Sequence, residues 1–247
     1  KEVFDLCLSC KACASECPSN VDVAALKSEF LYQYQEENGY SFRNTMFANN
    51  VKYNKIGSLV PGLTNLVLNT YLTKSIMGIS LKRSIPKLTP KTLKAWYKKQ
   101  THSSSQKIVY VFCDEFTNFY DTEIGKDTIT VLKRLGYNPT FINHPESGRS
   151  FISKGFLKEA KALANKNVSI FKELISEETP LVGIEPSAIL TFRDEYIRLA
   201  DDVNSATIIS KNTFTIEEFI QKEFEKGTIR TNQFTTEDKL VKIHGHC

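Results

Sequence analysis

Four of the six cysteines in this 247-residue chain fall in one run, Cys7-Leu-Ser-Cys10-Lys-Ala-Cys13-Ala-Ser-Glu-Cys17-Pro18. The spacing is C-x2-C-x2-C-x3-C-P. Thiolates are soft donors that suit zinc or iron–sulfur clusters. Three of them at this spacing can wrap a turn of backbone around one cubane, whose last iron needs a ligand from elsewhere. The run matches the bacterial-type [4Fe–4S] pattern, in which the fourth cysteine serves the other cluster of a pair. Pro18 turns the chain away after that ligand. Cys7, Cys10, Cys13 and Cys17 are therefore the expected metal ligands.

Three other uses of such a run compete. Disulfides suit small secreted chains, whereas this one is long enough to build a core. Structural zinc sites pair two cysteine knuckles across a longer loop, and no second knuckle is present. Four inert buried thiols so close together would be unusual. A single motif nonetheless leaves each of two clusters incomplete. The remaining cysteines are Cys113, which ends an apolar run and reads as a core thiol, and Cys247. A sister motif upstream of Lys1 is the simplest source of the missing ligands.

The elements that must position this run divide into three zones. Residues 1–19 are dense in cysteine. Residues 20–100 read as helices: Val23, Leu26, Phe30 and Tyr34 share a face, with Asp22 as N-cap and Gly39 as stop. The most apolar stretch, Leu59–Leu81, is interrupted by Pro61, Gly62, Asn65, Asn69, Lys74 and Gly78. A spanning helix needs about 20 predominantly apolar residues, so this stretch reads as buried helices. Residues 101–106 are polar and featureless, a linker. Beyond them short apolar runs alternate with helical patterns. Strands are expected at Ile108–Phe112, Thr140–Ile142, Leu181–Ile184, Ala206–Ile209 and Leu240–Ile243. Helices are expected through Leu135 to Gly136, from Leu157 to Ile175, over Ser187–Leu199, and after a capping box of Thr215 and Glu218 that Gly227 closes. The expected fold is α+β overall. An N-terminal α-helical ferredoxin-type domain (1–100) precedes an α/β domain (107–247) with a mostly parallel sheet.

Hydrophobic residues at 41% and charged residues at 24% describe a folded, soluble chain. Net charge is only +4, yet no Asp or Glu occurs between Asn38 and Cys113, where lysines and arginines are scattered. Such a region attracts anionic partners. Nucleic acid is not expected, because no aromatic platform accompanies the basic residues. No signal peptide opens the sequence, so the expected location is cytoplasmic, with any membrane association through a partner. No nucleotide-binding glycine loop and no nucleophile–base set is present, so no catalytic residue is assigned.

The residues from Asp5 through the cysteine run to Lys27 resemble the second cluster motif of FAD-linked oxidases fused to an iron–sulfur tail. These are the D-lactate-dehydrogenase-like and glycolate-oxidase-like proteins. Gly148-Arg-Ser-Phe-Ile-Ser-Lys-Gly155 and Val182-Gly-Ile-Glu-Pro-Ser-Ala-Ile-Leu-Thr-Phe-Arg-Asp-Glu-Tyr196 are similar to the first half of their cysteine-rich domain, also found in heterodisulfide-reductase-like subunits. His244-Gly-His-Cys247 is similar to the start of its second half. The resemblance implies an electron-transfer segment carrying [4Fe–4S] clusters, and FAD on a missing N-terminal flavin domain or flavoprotein subunit. It also implies a small 2-hydroxy acid as substrate and an external electron acceptor. The family often has a Cys-Cys pair where this chain has Glu146 and Ser147, and a cysteine where it has Ala188. This half therefore cannot ligate metal in the family's manner. Ser147–Ser150 reads as a helix start, whose free N–H groups could cap or hold an anion. The alternative from another class is a non-catalytic adaptor with a structural metal knot and a basic docking face.

Overall fold

The computed structural model describes residues 2–100 and 107–242. The expected linker at 101–106 and the His244–Cys247 segment lie outside the described residues. The first hundred residues are helical: α1 Glu2–Asp5, α2 Ala12–Glu16, α3 Val23–Asn38, α4 Phe42–Ala48, α5 Asn50–Gly57, α6 Pro61–Leu68, α7 Tyr71–Ile76 and α8 Leu93–Tyr97. Strands then alternate with helices: β1 Ile108–Phe112, α9 Glu115–Phe119, α10 Thr122–Arg134, β2 Asn138–Thr140, α11 Arg149–Ser153, α12 Leu157–Phe171 and β3 Leu181–Gly183. The chain continues through α13 Pro186–Ile189, α14 Glu195–Leu199, α15 Val203–Lys211, β4 Thr213–Thr215 and α16 Ile216–Glu225.

The four strands form a parallel sheet in the order β2-β1-β3-β4. From β1 the chain goes to one side for β2, then crosses to the other for β3 and β4. The topological switch point is thus between β1 and β3, and the crevice beyond their carboxyl ends is where open α/β sheets place ligands. One face of the sheet packs Phe112 and Leu181 against Ala164, Phe171, Phe192 and Ile209. The other packs Val109, Val111 and Val182 against Ile129, Leu132 and Phe219. Burial on both faces explains why β1 and β3 read as continuous apolar runs.

The helical residues pack directly onto this layer. Ala48 shares a cluster with Phe151 and Phe156, Val51 with Phe119, and Tyr97 with Val109. Asp22 caps α3 through Ala25 N–H at 3.0 Å, as expected, and Gly39 at φ 82° ends it. The buried face of α3 differs from the expected one. Ala24, Ser28, Leu31 and Gln35 face inward, while Leu26 is 54% exposed. Close backbone approach selects this smaller face. A Cβ on Gly155, itself at φ +72°, would lie 2.6 Å from Leu31 Cβ and 2.8 Å from Tyr32 N. Gln35 Nε2 donates to the Lys154 carbonyl there at 2.9 Å.

Four further expectations are corrected. Ala206–Ile209 is the buried face of α15, not a strand, and Asp202 caps that helix through Ser205 N–H. The second strand lies at Asn138–Thr140 rather than Thr140–Ile142. Leu59–Leu81 does form helices, but most of their large apolar side chains are exposed rather than buried. Leu240–Lys242 has no strand structure. No helix among the described residues is long and apolar enough to cross a membrane.

Candidate functional site

The cysteine run folds as a loop wound by left-handed residues. Ser9 (φ 57°), Lys11 (φ 63°) and Asn20 (φ 52°) take this conformation without being glycine, an arrangement that costs on the order of 1 kcal/mol each and clusters at functional sites. The winding turns backbone N–H groups toward sulfur. Ser9 N–H donates to Cys7 Sγ at 3.4 Å and Val23 N–H to Cys13 Sγ at 3.3 Å. Backbone N–H groups of Val21 and Ser19, with that of Asn20, hold the Cys17 thiol below its ordinary pKa. Such donors stabilise sulfur bearing negative charge. Cys10 is exposed, and Cys7, Cys13 and Cys17 are half-buried.

The loop is anchored to the α/β layer by ion pairs. Lys11 Nζ meets Asp194 at 2.8 Å and Glu195 at 2.7 Å, and Arg149 meets Glu195 at 2.6 Å. Lys27 Nζ donates to the Cys7 carbonyl at 2.6 Å. A cavity of about 1010 Å³ opens between these parts, walled by Cys7, Cys10 and Lys11 on one side and Phe116, Arg149 and Ser187 on the other. Residues from beyond both β1 and β3 line it, so it occupies the crevice at the switch point. Lys27, Arg43 and Lys154 also line it. Among the described residues no carboxylate pairs with these three. Burial and the neighbouring charges of Arg43 and Lys27 push the Lys154 ammonium below its ordinary pKa. Mutually repelling cations around a sulfur-lined cavity form a seat for an anion.

The donor set fits an iron–sulfur cluster by chemistry: four thiols, backbone N–H groups aimed at three of them, and surplus positive charge to offset a cluster anion. No three His, Cys, Asp or Glu side chains among the described residues converge closely enough to hold a metal ion in the conformation described.

A second polar cluster lies buried behind the crevice, around Glu146 and Ser147. Glu115, 4% exposed, accepts from Ser147 N–H at 3.0 Å and Ser147 Oγ at 2.6 Å. The acceptor at the Gly148 turn is thus the chain's own Glu115 carboxyl group, whose pKa burial pushes up, and Ser147 Oγ in turn caps Arg149 N–H at 3.0 Å. Tyr196 donates to the Ser147 carbonyl, and Asn167 donates to both the Tyr196 hydroxyl and the Glu146 carbonyl. Glu146 does not lie on the open surface: its Oε2 is buried without a hydrogen-bond partner, and burial and the Glu115 charge push its pKa up to about 7. Ala188 is fully buried. Cys113 is 3% exposed, as a core thiol should be, and burial pushes its pKa up to about 12. Its N–H donates to His144 Nε2 at 3.2 Å, while the other ring nitrogen contacts the Pro145 carbonyl at 2.6 Å. Burial and the Lys94 charge push His144 down to about 3, so the ring is neutral.

The cysteine loop and its basic surroundings were only partly legible from sequence. The acid-free stretch pointed to Arg43, but Lys27 and Lys154 lie outside it. Only the packing of α3 on Gly155 brings them together.

The chain is similar to D-2-hydroxyglutarate dehydrogenase of Pantoea ananatis, 26% identical over 264 residues, covering all of this chain and 25% of the relative. That of Escherichia coli is 26% identical over 262 residues, with the same coverage. The Haemophilus influenzae protein of the same name is 26% identical over 213 residues, covering 79% of this chain and 20% of the relative. The chain thus spans about a quarter of the length of the curated relatives it matches. No family model and no solved structure matches it.

Proposed function

We propose that this chain is the electron-carrying iron–sulfur portion of a flavin-linked dehydrogenase that oxidises a 2-hydroxy acid, with a 2-hydroxy dicarboxylate such as D-2-hydroxyglutarate as the substrate class. The observation that carries this is the Cys7–Pro18 run, with N–H groups directed at its sulfurs, in a chain similar along its whole length to D-2-hydroxyglutarate dehydrogenases. Residues 1–100 would be the iron–sulfur domain and residues 107–247 the cysteine-rich-type domain on which it rests.

Cys7, Cys10 and Cys13 would hold three irons of one cubane, and Cys17 one iron of a second. When bound, an FAD outside these residues would supply two-electron oxidation of the alcohol carbon to a ketone, and the clusters one-electron carriage to an external acceptor. Within this chain, Lys27, Arg43 and Lys154 lower the cost of each added negative charge. The N–H donors to Cys7 and Cys13 act in the same direction, raising the reduction potential. The Lys11–Glu195 pair, with Arg149 fixing the Glu195 carboxylate, would hold the loop over the crevice. The hydrogen bonds of both His144 ring nitrogens and those between Glu115 and Ser147 tie the wall behind it together.

Replacing Cys10 by Ser in the full-length enzyme tests this. Serine offers a harder, more basic oxygen that clusters hold poorly. Substrate should still reduce the flavin, while turnover with the acceptor should be lost. Undiminished acceptor turnover in that variant would sink the proposal.

A further inference from the structure

The exposed large apolar side chains are unevenly distributed: most of those among the described residues lie before residue 82. They concentrate on the ridge formed by α6 and α7 and the turns around it. Leu63 is 60% exposed, Leu66 70%, Tyr71 71% and Leu72 67%. Two asparagines tie this ridge to the body: Asn65 within α6 accepts from Leu88 N–H at 2.8 Å and Asn69 at its end from Ile85 N–H at 3.1 Å. The ridge is therefore a built feature whose apolar side faces outward, and contiguous exposed apolar surface of this kind marks an interaction site.

The ridge runs toward the cysteine loop. A Cβ on Gly78, just past α7, would lie 3.3 Å from Arg43 Nε. Arg43 itself lines the cavity that Cys7 and Cys10 line. Leu6 and Leu8 on the loop, with Phe42 beside Arg43, are also exposed. Apolar surface thus flanks the cavity on the loop and on the ridge.

We propose that the α6–α7 ridge is the seat of the flavin-bearing portion of the enzyme, whose facing surface is apolar and rimmed by carboxylates. This rests on the reading of the chain as an iron–sulfur portion. Two observations select this occupant. First, the matched relatives are about four times as long as this chain, and the alignment covers all of it. A covalently joined portion reaches a neighbouring surface at an effective concentration of order mM. Second, no Asp or Glu occurs between Asn38 and Cys113, so the only charged side chains of the segment that forms the ridge are basic. A second copy docking through the same face would set basic residues against basic residues. A partner with an acidic rim meets charge complementarity instead.

A photo-crosslinking amino acid placed at Leu66 of the full-length enzyme, with Ile208 as an exposed control site, tests this. Mapping by mass spectrometry should find crosslinks from position 66 into the flavin-bearing portion and none from position 208. In parallel, Leu66→Asp should leave flavin reduction by substrate within about twofold and slow the onward transfer to acceptor about tenfold or more. Crosslinks from position 66 to the same helices of a second copy, to co-purified lipid or to nothing overturn the proposal. So does an unchanged onward rate. The flavin content of the enzyme, measured after denaturation, separates the two readings. Absence of flavin defeats the functional reading and this one together. Flavin present with crosslinks elsewhere defeats only the docking surface.

Discussion

Cys10 and Cys113 are the same residue type in opposite circumstances. The first is exposed on a loop whose N–H groups point at sulfur; the second is sealed at the end of β1 with its pKa pushed up to about 12. Since the thiolate is the reactive form, iodoacetamide should alkylate Cys10 of the metal-free chain rapidly at mildly alkaline pH. Cys113 should resist until the chain is unfolded. Comparable rates at the two sites in the folded state would show that Cys113 is not a core thiol. Both assignments were legible locally, the one from cysteine spacing and the other from the apolar run before it. Glu146 was not, because its burial depends on loops after β1 and β2 meeting Asn167 of α12. Its pKa is raised from the ordinary carboxylate value to about 7. The native state therefore binds that proton more tightly than the unfolded chain does. Its contribution to stability is fully present below about pH 4.5 and is lost as pH rises through about 7. Glu146→Gln removes the titration, so the variant should gain stability relative to the wild type between about pH 5 and pH 8. Urea denaturation across that range reads the difference, and a constant difference would contradict the assignment.

Elements are legible in the sequence where a local signal fixes them and not where tertiary contacts decide. The Thr215–Glu218 capping box and the Ile108–Phe112 strand formed as expected, since each is specified within a few residues. The Ala206–Ile209 run is too short for periodicity to separate strand from helix. Its Asp202 cap and the burial of Ala206 and Ile209 three residues apart settle on helix. The α3 face was misjudged because the larger side chains suggest the core, whereas Gly155 lets the smaller ones approach the α11–α12 turn. Gly155→Ala should therefore be costly for two reasons. It places a side chain at φ +72° and drives a Cβ within 2.6 Å of Leu31 Cβ. Left-handed strain of about 1–2 kcal/mol and overpacking of about 1–3 kcal/mol act together. A stability loss of about 2 kcal/mol or more is expected by chemical denaturation, with α3 losing hydrogen-exchange protection first. A loss below about 0.5 kcal/mol would mean that α3 does not rest on this turn.

At the scale of the molecule, a parallel sheet with its switch point between β1 and β3 holds the cysteine loop over its carboxyl-terminal crevice. The ligand count follows from that placement. A cubane needs four protein ligands, and under the proposed allocation the loop would offer three to one cluster and one to the other. Cys113 cannot make up the deficit: it is buried and does not line the cavity that Cys7 and Cys10 line. Residues 1–247, reconstituted anaerobically with ferrous iron and sulfide, should therefore hold fewer than the eight irons of two cubanes. The full-length enzyme should hold both clusters. Cys247→Ser provides the control, because that thiol is the one other candidate ligand in the sequence. If residues 1–247 bound about eight irons and eight sulfides, and Cys247→Ser did not reduce the number, the ligands would have to come from groups other than these cysteines. The allocation of Cys7, Cys10 and Cys13 to one cluster and Cys17 to another would then fall. A content well below eight that rises to the full number only when the rest of the enzyme is present would place the missing ligands outside these residues.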